Sequence, residues 1–303
     1  MFLNSFSTLK INTFLIGAQK AGTTSIYNWI GQHPDVYAPL PAKDYHHFSD
    51  PNKVEQGVNS LHEFYKAQKN ETIIVNGAVN YMFIPNTEIA IKKYNPSAKI
   101  IIILREPIAR AVSGFQFQLR TGNEENDFVS AIDIELKSKE SISQENAHGF
   151  YLKHGLYYNQ VKRFVNIFGK ANVLVLVFEK FMQDKNKGME EIFNFLKIKN
   201  NFQCNFDHLN KGTASKFKGL NNFLFSKKNR KYRKIIKKIL CLDLFLSKKH
   251  KNNLANKILE KNTKAVQRLE LDENMKQDLK NYFKSDIQDL SKLLGIDLFQ
   301  IWY

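Results

Sequence analysis

The chain has 303 residues, of which 43% are hydrophobic, and a formal net charge of +16 at pH 7. This length can bury the core of one large α/β domain. Two cysteines, Cys204 and Cys241, exclude a disulfide framework and a cysteine-rich metal cluster. No apolar run of about 18 residues indicates a transmembrane helix. Residues 1–10 lack the basic start and long apolar stretch of a signal peptide, so we expect a cytoplasmic protein.

The positive charge is concentrated between residues 211 and 251. This segment has fourteen Lys or Arg residues and one acidic residue, Asp243. Its apolar residues alternate with clustered lysines, which predicts a basic helical insertion or subregion at about 212–262. A basic surface attracts acidic glycans, nucleic acid or anionic lipid, and charge alone does not choose among them. A helix with a solvated basic face is the plainer alternative.

In chain order, apolar runs typical of buried strands alternate with segments of helical spacing. The predicted strands are residues 11–16, 72–75, 99–104 and 173–178. The predicted helices are residues 24–32, 87–94, 107–120, 157–168, 189–196 and 274–294. Residues 121–150 are polar and are predicted as a loop with a short helix. This alternation favours an α/β fold with a mostly parallel sheet covered on both faces. With no linker or internal repeat visible, we predict a single domain over 1–303.

Residues 15–26 form the most informative stretch, where an apolar run ends in a glycine-rich loop and a helix follows. Such a loop offers backbone N–H groups and a helix dipole to an anion. Gly17 and Gly22 have the separation of the P-loop pattern G-x-x-x-x-G-K-[ST]. The lysine, however, is Lys20, and Thr23 stands at the usual lysine position. The spacing predicts a phosphate site that differs from the common P-loop.

A second phosphate site is predicted at the end of the strand that contains four consecutive isoleucines. Arg105 follows this strand, and ligands of parallel sheets bind at the carboxyl ends of strands. Arg105 and Lys20 should therefore project from the same edge. Ser113 lies about two turns into the helix that Pro107 starts. The guanidinium of Arg105 and the hydroxyl of Ser113 can therefore both bind one phosphate.

The strand ends argue against a magnesium-dependent triphosphatase. Such an enzyme needs a metal-binding acidic residue after an apolar strand. One apolar strand here ends in Arg105, and Glu179, after another, has no further support as a metal ligand. The pattern favours a nucleotide with phosphates at two separate places, and we expect no metal.

Residues 17–25 and 105–113 together resemble the two signature motifs of the sulfotransferases, which use 3′-phosphoadenosine-5′-phosphosulfate (PAPS). The chain is most similar to the carbohydrate branch, which contains heparan sulfate sulfotransferases and bacterial relatives. The likeness extends through 34–48, 155–158 and 279–302 and is weakest over 212–262. It implies a P-loop-like three-layer α/β fold with a central, mostly parallel sheet. It also implies sulfuryl transfer from PAPS to a carbohydrate hydroxyl or amine, with 3′,5′-bisphosphoadenosine as the product.

The same resemblance implies roles for individual residues. Lys20 would stabilise charge on the leaving phosphate. Arg105 and Ser113 would hold the 3′-phosphate, and the loop after Lys20 the 5′-phosphate. The predicted nucleotide contacts are Lys20, Ala21, Gly22, Thr23, Thr24, Ser25, Arg105, Ser113, Tyr157, Lys211, Gly212 and Thr213.

The resemblance leaves two candidates for the general base that deprotonates the acceptor. Residues 43–48 resemble the family's Lys-Glu-x-His-Phe-Phe, whose glutamate is the base in some members. Asp44 occupies that place and His46 matches the histidine. Other members carry a glutamate at a place that aligns with Asn76, and an amide cannot act as that base. We predict Asp44 as the base and His46 as the alternative.

The basic segment 211–251 suggests an acidic polysaccharide or oligosaccharide as the acceptor, with peripheral contact to an anionic membrane as its alternative role. Two other functions stay open: a P-loop kinase or NTPase, and a non-catalytic polyanion binder. No nucleic-acid motif is recognised, so nucleic acid is not an expected partner. These residues do not predict the acceptor's identity, the choice between O- and N-sulfation, or the oligomeric state.

Overall fold

The computed structural model describes residues 10–206, 213–215, 263–265 and 269–303. The predicted basic insertion therefore lies outside the described residues, except for the short strands at 213–215 and 263–265. Lys211 and Gly212 lie outside them as well.

Five parallel strands form the central sheet, in the order β2-β3-β1-β4-β5. They are β1 (Thr13–Gly17), β2 (Val36–Tyr37), β3 (Ile73–Gly77), β4 (Lys99–Leu104) and β5 (Val173–Val177). A separate antiparallel pair joins β6 (Thr213–Ser215) to β7 (Thr263–Ala265). The prediction of a mostly parallel sheet is confirmed.

Helices connect these strands and follow them. In chain order, those of the described residues are α1 (Thr23–Ile30), α2 (Pro51–Glu55), α3 (Asn59–His62), α4 (Thr87–Tyr94), α5 (Pro107–Thr121), α6 (Phe128–Lys137), α7 (Tyr157–Phe168), α8 (Phe178–Gln183), α9 (Lys185–Leu196), α10 (Glu273–Leu294) and α11 (Leu298–Trp302). Most predicted bounds agree within one or two residues. The largest difference is at α9, which begins at Lys185, four residues before the predicted start. Asp184 caps this helix by accepting a hydrogen bond from Lys187 N.

The sheet is covered on both faces. Ile100–Leu104 of β4 are each 0% exposed, and successive strand residues point to opposite faces. α7 packs against α4, α10, β4 and β5, whereas α9 packs against β5 and α8. These contacts confirm the α/β class. Within the part of the chain that the structure describes, no helix combines the length and apolarity needed to cross a bilayer.

The sheet order creates a crevice between β1 and β4. These strands are neighbours, but the chain leaves β1 toward β2 on one side and leaves β4 toward β5 on the other. Where connections diverge in this way, a parallel sheet binds ligands outside the carboxyl ends of its strands. The glycine-rich loop follows β1 and Arg105 follows β4, so both lie at this crevice.

Candidate active site

The glycine-rich loop between β1 and α1 is fixed by backbone contacts. Ala18 N donates to Ile103 O of β4 at 2.7 Å. Lys20 and Gly22 have left-handed backbone conformations, with φ of 68° and 82°. A Cβ on Gly22 would lie 3.0 Å from Cε2 of Phe178, so both the conformation and the close approach favour glycine there.

The N-terminus of α1 offers unpaired donors beside this loop. Among the described residues, no side chain caps it. The first-turn N–H groups of Thr23, Thr24 and Ser25 have no partner within the helix. Together with the positive end of the helix dipole, they favour an anion at this position. The side chains of Thr23 and Ser25 are buried while that of Thr24 is exposed, so Thr24 is the hydroxyl most available to a ligand.

The Lys20 side chain extends over α5. Its Nζ lies 4.3 Å from the centroid of the Phe117 ring. Burial, followed by repulsion from Arg120, Arg105 and Arg110, lowers the pKa of Lys20 to about 8. Because all the charged neighbours that shift this pKa are cations, an anionic ligand would relieve their mutual repulsion.

Arg105 links the two predicted phosphate sites. Its Nη1 donates to the carbonyl oxygen of Lys20 at 2.9 Å, and its guanidinium carbon lies 5.2 Å from the centroid of the Phe178 ring. The structure thus brings Lys20 and Arg105 together at one edge of the sheet, as the sequence predicts. Their roles as phosphate ligands stay predictions.

Ser113 lies on the side of α5 that faces the loop. Residues four apart share a helix face, and Phe117, under Lys20, follows Ser113 by four. Ser113 is half-buried. The helix begins at Pro107, and the carboxylate of Glu106 caps it by accepting from the backbone N–H groups of residues 108 and 109.

Tyr157 is placed differently from the sequence prediction. As a predicted nucleotide contact it should be accessible, but its side chain is 0% exposed. Its hydroxyl donates to the carbonyl oxygen of Arg105 at 2.9 Å. The geometry therefore supports a role in positioning Arg105 rather than direct contact with a nucleotide.

Glu179, the one carboxylate considered for an NTPase metal site, is occupied by structural hydrogen bonds. Its Oε1 accepts from Glu106 N at 3.0 Å, and its Oε2 accepts from Trp302 Nε1 at 2.9 Å. In the described ranges, no cluster of three or more potential metal-ligating side chains occurs. The NTPase alternative gains no support from this residue.

Asp44 lies at the carboxyl end of β3, the strand beside β1. Its backbone N donates to Gly77 O at 2.7 Å, and its backbone is left-handed with φ of 62°. Its Oδ1 accepts from Lys43 Nζ at 2.7 Å and from Val79 N at 3.0 Å. Val79 also lies beside the phosphate loop, since its carbonyl oxygen is 3.3 Å from the position of a Cβ on Gly17. Val79 therefore contacts both Asp44 and the start of that loop. The Asp44 side chain is 39% exposed, and no described donor reaches Oδ2.

His46 is more enclosed than Asp44. Its ring packs edge-on against Tyr81, with centroids 6.4 Å apart, and its Nδ1 is buried with no partner among the described residues. Burial lowers the pKa of His46 to about 4, so its imidazole is neutral near pH 7 and a weak base. Of the two candidates, the geometry favours Asp44, whose Oδ2 is open.

The chain matches the model of the sulfotransferase domain family over residues 10–289. It belongs to this family. The family predicted from the two motifs is thus confirmed, together with the fold class.

Two curated relatives and one solved structure illustrate the similarity of this sulfotransferase. Human bifunctional heparan sulfate N-deacetylase/N-sulfotransferase 1 is 25% identical over 195 residues, covering 61% of this chain and 22% of the human protein. Mouse carbohydrate sulfotransferase 15 is 21% identical over 242 residues, covering 61% of this chain and 43% of the mouse protein. The chain therefore spans less than half the length of either relative. A sulfotransferase from Alicyclobacillus acidocaldarius shares the fold, with a TM-score of 0.68, 22% identity, and coverage of 97% of this chain and 99% of that one.

Several residues of this sulfotransferase's site are not apparent from the sequence. Lys43, whose side chain is 6% exposed, pairs with Asp44 and occupies the space over Gly77, where its Cδ lies 3.1 Å from a Cβ position. Gln19 accepts from Arg110 Nη1 at 3.4 Å and lies 3.3 Å from Nδ1 of His148. Of these residues, only Lys43 could be singled out from the sequence, because it directly precedes the predicted base Asp44. The other contacts join residues that are distant in the chain.

The remaining predicted contact, Thr213, begins β6, of which the structure describes the backbone. Its role as a nucleotide contact stays a prediction, as do those of Lys211 and Gly212.

Proposed function

We propose that the chain transfers a sulfuryl group from PAPS to a hydroxyl or amine of a carbohydrate acceptor. The observation that carries this proposal is the hydrogen bond from Arg105 Nη1 to the carbonyl of Lys20, which couples two cationic positions across the β1–β4 crevice. A nucleotide with anionic groups at both its 3′ and 5′ positions matches two such positions better than a linear triphosphate does.

The residues divide between the two ends of this nucleotide. The free N–H groups of α1 and the Thr24 hydroxyl would hold the 5′-phosphate. Arg105 would offer its guanidinium, and Ser113 a hydroxyl, to the 3′-phosphate. Lys20 would lie at the phosphosulfate, where its ammonium is most useful when charge develops on the leaving group.

The transfer itself would be an in-line displacement at sulfur. The acceptor oxygen or nitrogen forms a bond to sulfur while the bond from sulfur to the bridging oxygen breaks. The bridging oxygen keeps the electron pair and leaves on 3′,5′-bisphosphoadenosine, beside protonated Lys20. The acceptor proton passes to Oδ2 of Asp44, with His46 as the alternative base.

We further propose an acidic polysaccharide or oligosaccharide as the acceptor. The composition of residues 211–251 supports this choice, since fourteen basic residues against one acidic residue attract a polyanion. The similarity to a heparan sulfate N-sulfotransferase supports it as well. An anionic membrane surface is the alternative partner of the segment.

The test is transfer of radiolabelled sulfate from PAPS to matched acceptors, in EDTA, by the wild-type protein and a Lys20→Ala variant. A uronate-containing glycan, its N-deacetylated form, a neutral glucan and a small alcohol form the panel. We expect label on an acidic glycan, and a loss of about 10²-fold or more for Lys20→Ala. Equal labelling of the neutral glucan would contradict the acidic acceptor. ATP hydrolysis that needs Mg²⁺ and Glu179, without any sulfate transfer, would contradict the reaction.

A further inference from the structure

Two residues at the end of α11 reach the second motif through hydrogen bonds. Trp302 Nε1 donates to Glu179 Oε2 at 2.9 Å, and Glu179 Oε1 accepts from Glu106 N at 3.0 Å. The Tyr303 hydroxyl donates to Glu106 Oε1 at 3.0 Å. Glu106 is therefore bonded at both its backbone and its carboxylate, and it directly follows Arg105.

The carboxylate of Glu106 also determines where α5 begins. It accepts from Ile108 N at 2.8 Å and from Ala109 N at 2.5 Å, and these bonds orient the first turn of the helix that carries Ser113. Any rotation of this carboxylate would loosen the cap. The Tyr303 hydroxyl donates to the same Oε1 that accepts from Ile108 N. It therefore restrains the Glu106 carboxylate, which lies in the chain between Arg105 and Ser113.

A second connection reaches the carbonyl of Arg105 from α10. The Tyr157 hydroxyl donates to that carbonyl at 2.9 Å, and the Tyr157 ring lies 6.2 Å from that of Trp302. The backbone N–H groups of Tyr157 and Tyr158 donate to Oδ2 of Asp286 on α10, at 2.6 and 3.1 Å. Tyr157 and Glu179, which the C-terminal helices contact, thus hold the carbonyl and the N–H of the single peptide group between Arg105 and Glu106.

We propose that Trp302 and Tyr303 are positioning residues that hold Arg105 in the geometry required for a 3′-phosphate. The proposal rests on the proposed function, in which Arg105 binds that phosphate. Without the Tyr303 hydroxyl, only the two cap bonds orient the Glu106 carboxylate. Without the Trp302 indole, only the bond from Glu106 N orients the Glu179 carboxylate. Each carboxylate is then less restrained, and its negative charge near Arg105 competes with the phosphate for the guanidinium. These bonds do not contact the 5′ side, formed by α1 and Lys20, which they reach only through the bond from Arg105 Nη1 to the Lys20 carbonyl.

The experiment compares the binding of 3′,5′-bisphosphoadenosine and 5′-AMP, which differ in the 3′-phosphate. Tyr303→Phe removes a single hydroxyl from a side chain that is 42% exposed, and Trp302→Phe removes the indole donor. Tyr282→Phe on α10 is the matched control, because its hydroxyl makes no hydrogen bond to a described residue and its side chain is 36% exposed.

We expect Tyr303→Phe to weaken bisphosphate binding by about five-fold and Trp302→Phe by about ten-fold, as for lost hydrogen bonds to charged acceptors. Binding of 5′-AMP should change by less than about two-fold, and Tyr282→Phe should change neither ligand. A general loss of stability would weaken both ligands together, so the ratio of the two affinities reports on positioning.

Equal effects on both ligands, or none on either, in Tyr303→Phe protein with wild-type thermal unfolding would overturn the inference. A wild-type protein that does not prefer the bisphosphate over 5′-AMP would instead overturn the proposed function, and this inference with it. The first result leaves the wild-type preference intact, so the two failures are distinguishable.

Discussion

The lowered pKa of Lys20 predicts that nucleotide affinity falls as pH rises. In the free protein, burial and three neighbouring arginines lower this pKa to about 8. A phosphate or phosphosulfate beside Nζ favours the protonated ammonium and raises the pKa again. Binding should therefore take up a proton, and deprotonation of free Lys20 should compete with binding above pH 8.

The size of this effect follows from the two pKa values. With a pKa of about 8, Lys20 in the free protein is about nine-tenths protonated at pH 7 and about one-tenth protonated at pH 9. If binding restores the ordinary value of 10.5, the Kd for 3′,5′-bisphosphoadenosine should rise about ten-fold between these pH values. Binding at pH 8 should take up about half a proton per site. The ligand's phosphates titrate near pH 6 and contribute little over this range.

Isothermal titration calorimetry in buffers of different ionisation enthalpy measures both quantities. Lys20→Met should bind more weakly and lose the ten-fold dependence, because the titrating group is absent. Lys43→Met is the matched control: it also removes a buried lysine but should keep the dependence. A wild-type Kd constant within about two-fold from pH 7 to pH 9, or a Lys20→Met variant that retains the full change, would show that protonation of Lys20 is not linked to binding.

Three further predictions concern the base, the loop and the basic segment. Asp44→Asn should lower kcat by about 10²-fold or more and leave bisphosphate affinity within about two-fold. His46→Gln should lower kcat by less than about ten-fold. Steady-state kinetics in which His46→Gln has the larger effect would assign the base to His46. Gly22→Ala should lower the free energy of unfolding by about 1–3 kcal/mol, since a left-handed backbone and a ring contact oppose the methyl group. Gly57→Ala is the control with φ of 77° and nothing within 4 Å of the new Cβ, and equal losses in urea unfolding would contradict the close approach at Gly22. Neutralising four basic residues together should raise the KM for an acidic acceptor without changing the KM for PAPS, and an unchanged acceptor KM would show that the segment serves another partner. These four are Lys227, Lys228, Arg230 and Lys231.

The elements that form the crevice could be predicted because their signals are local. The isoleucine run predicts β4 to the residue, and glycine spacing predicts the loop after β1. The two-residue β2 and the short α2 and α3 were not predicted, since elements of this length carry no periodicity. The start of α9 was placed too late, because its first turn is polar and contains Gly188.

The candidate site could be predicted in its residue types but not in its contacts. The proximity of Lys20 to Arg105 followed from general rules on parallel strands, since Arg105 directly follows β4 and Lys20 lies in the loop after β1. The burial of Tyr157 could not be predicted, because it depends on helices far away in the chain. The hydrogen bond from Trp302 to Glu179 could not be predicted either, because it joins residues that are 123 apart in sequence. A single sequence does not encode such contacts in any local pattern.

Nucleotide selectivity, measured by calorimetry in EDTA and then in Mg²⁺, tests most directly whether the crevice binds phosphates at two separate positions. We predict that 3′,5′-bisphosphoadenosine binds without metal, at least about ten-fold more tightly than 5′-AMP, because Arg105 adds a charge-assisted contact to the 3′-phosphate. Binding of ATP with Mg²⁺ in place of the bisphosphate would contradict a site built for phosphates at two separate positions.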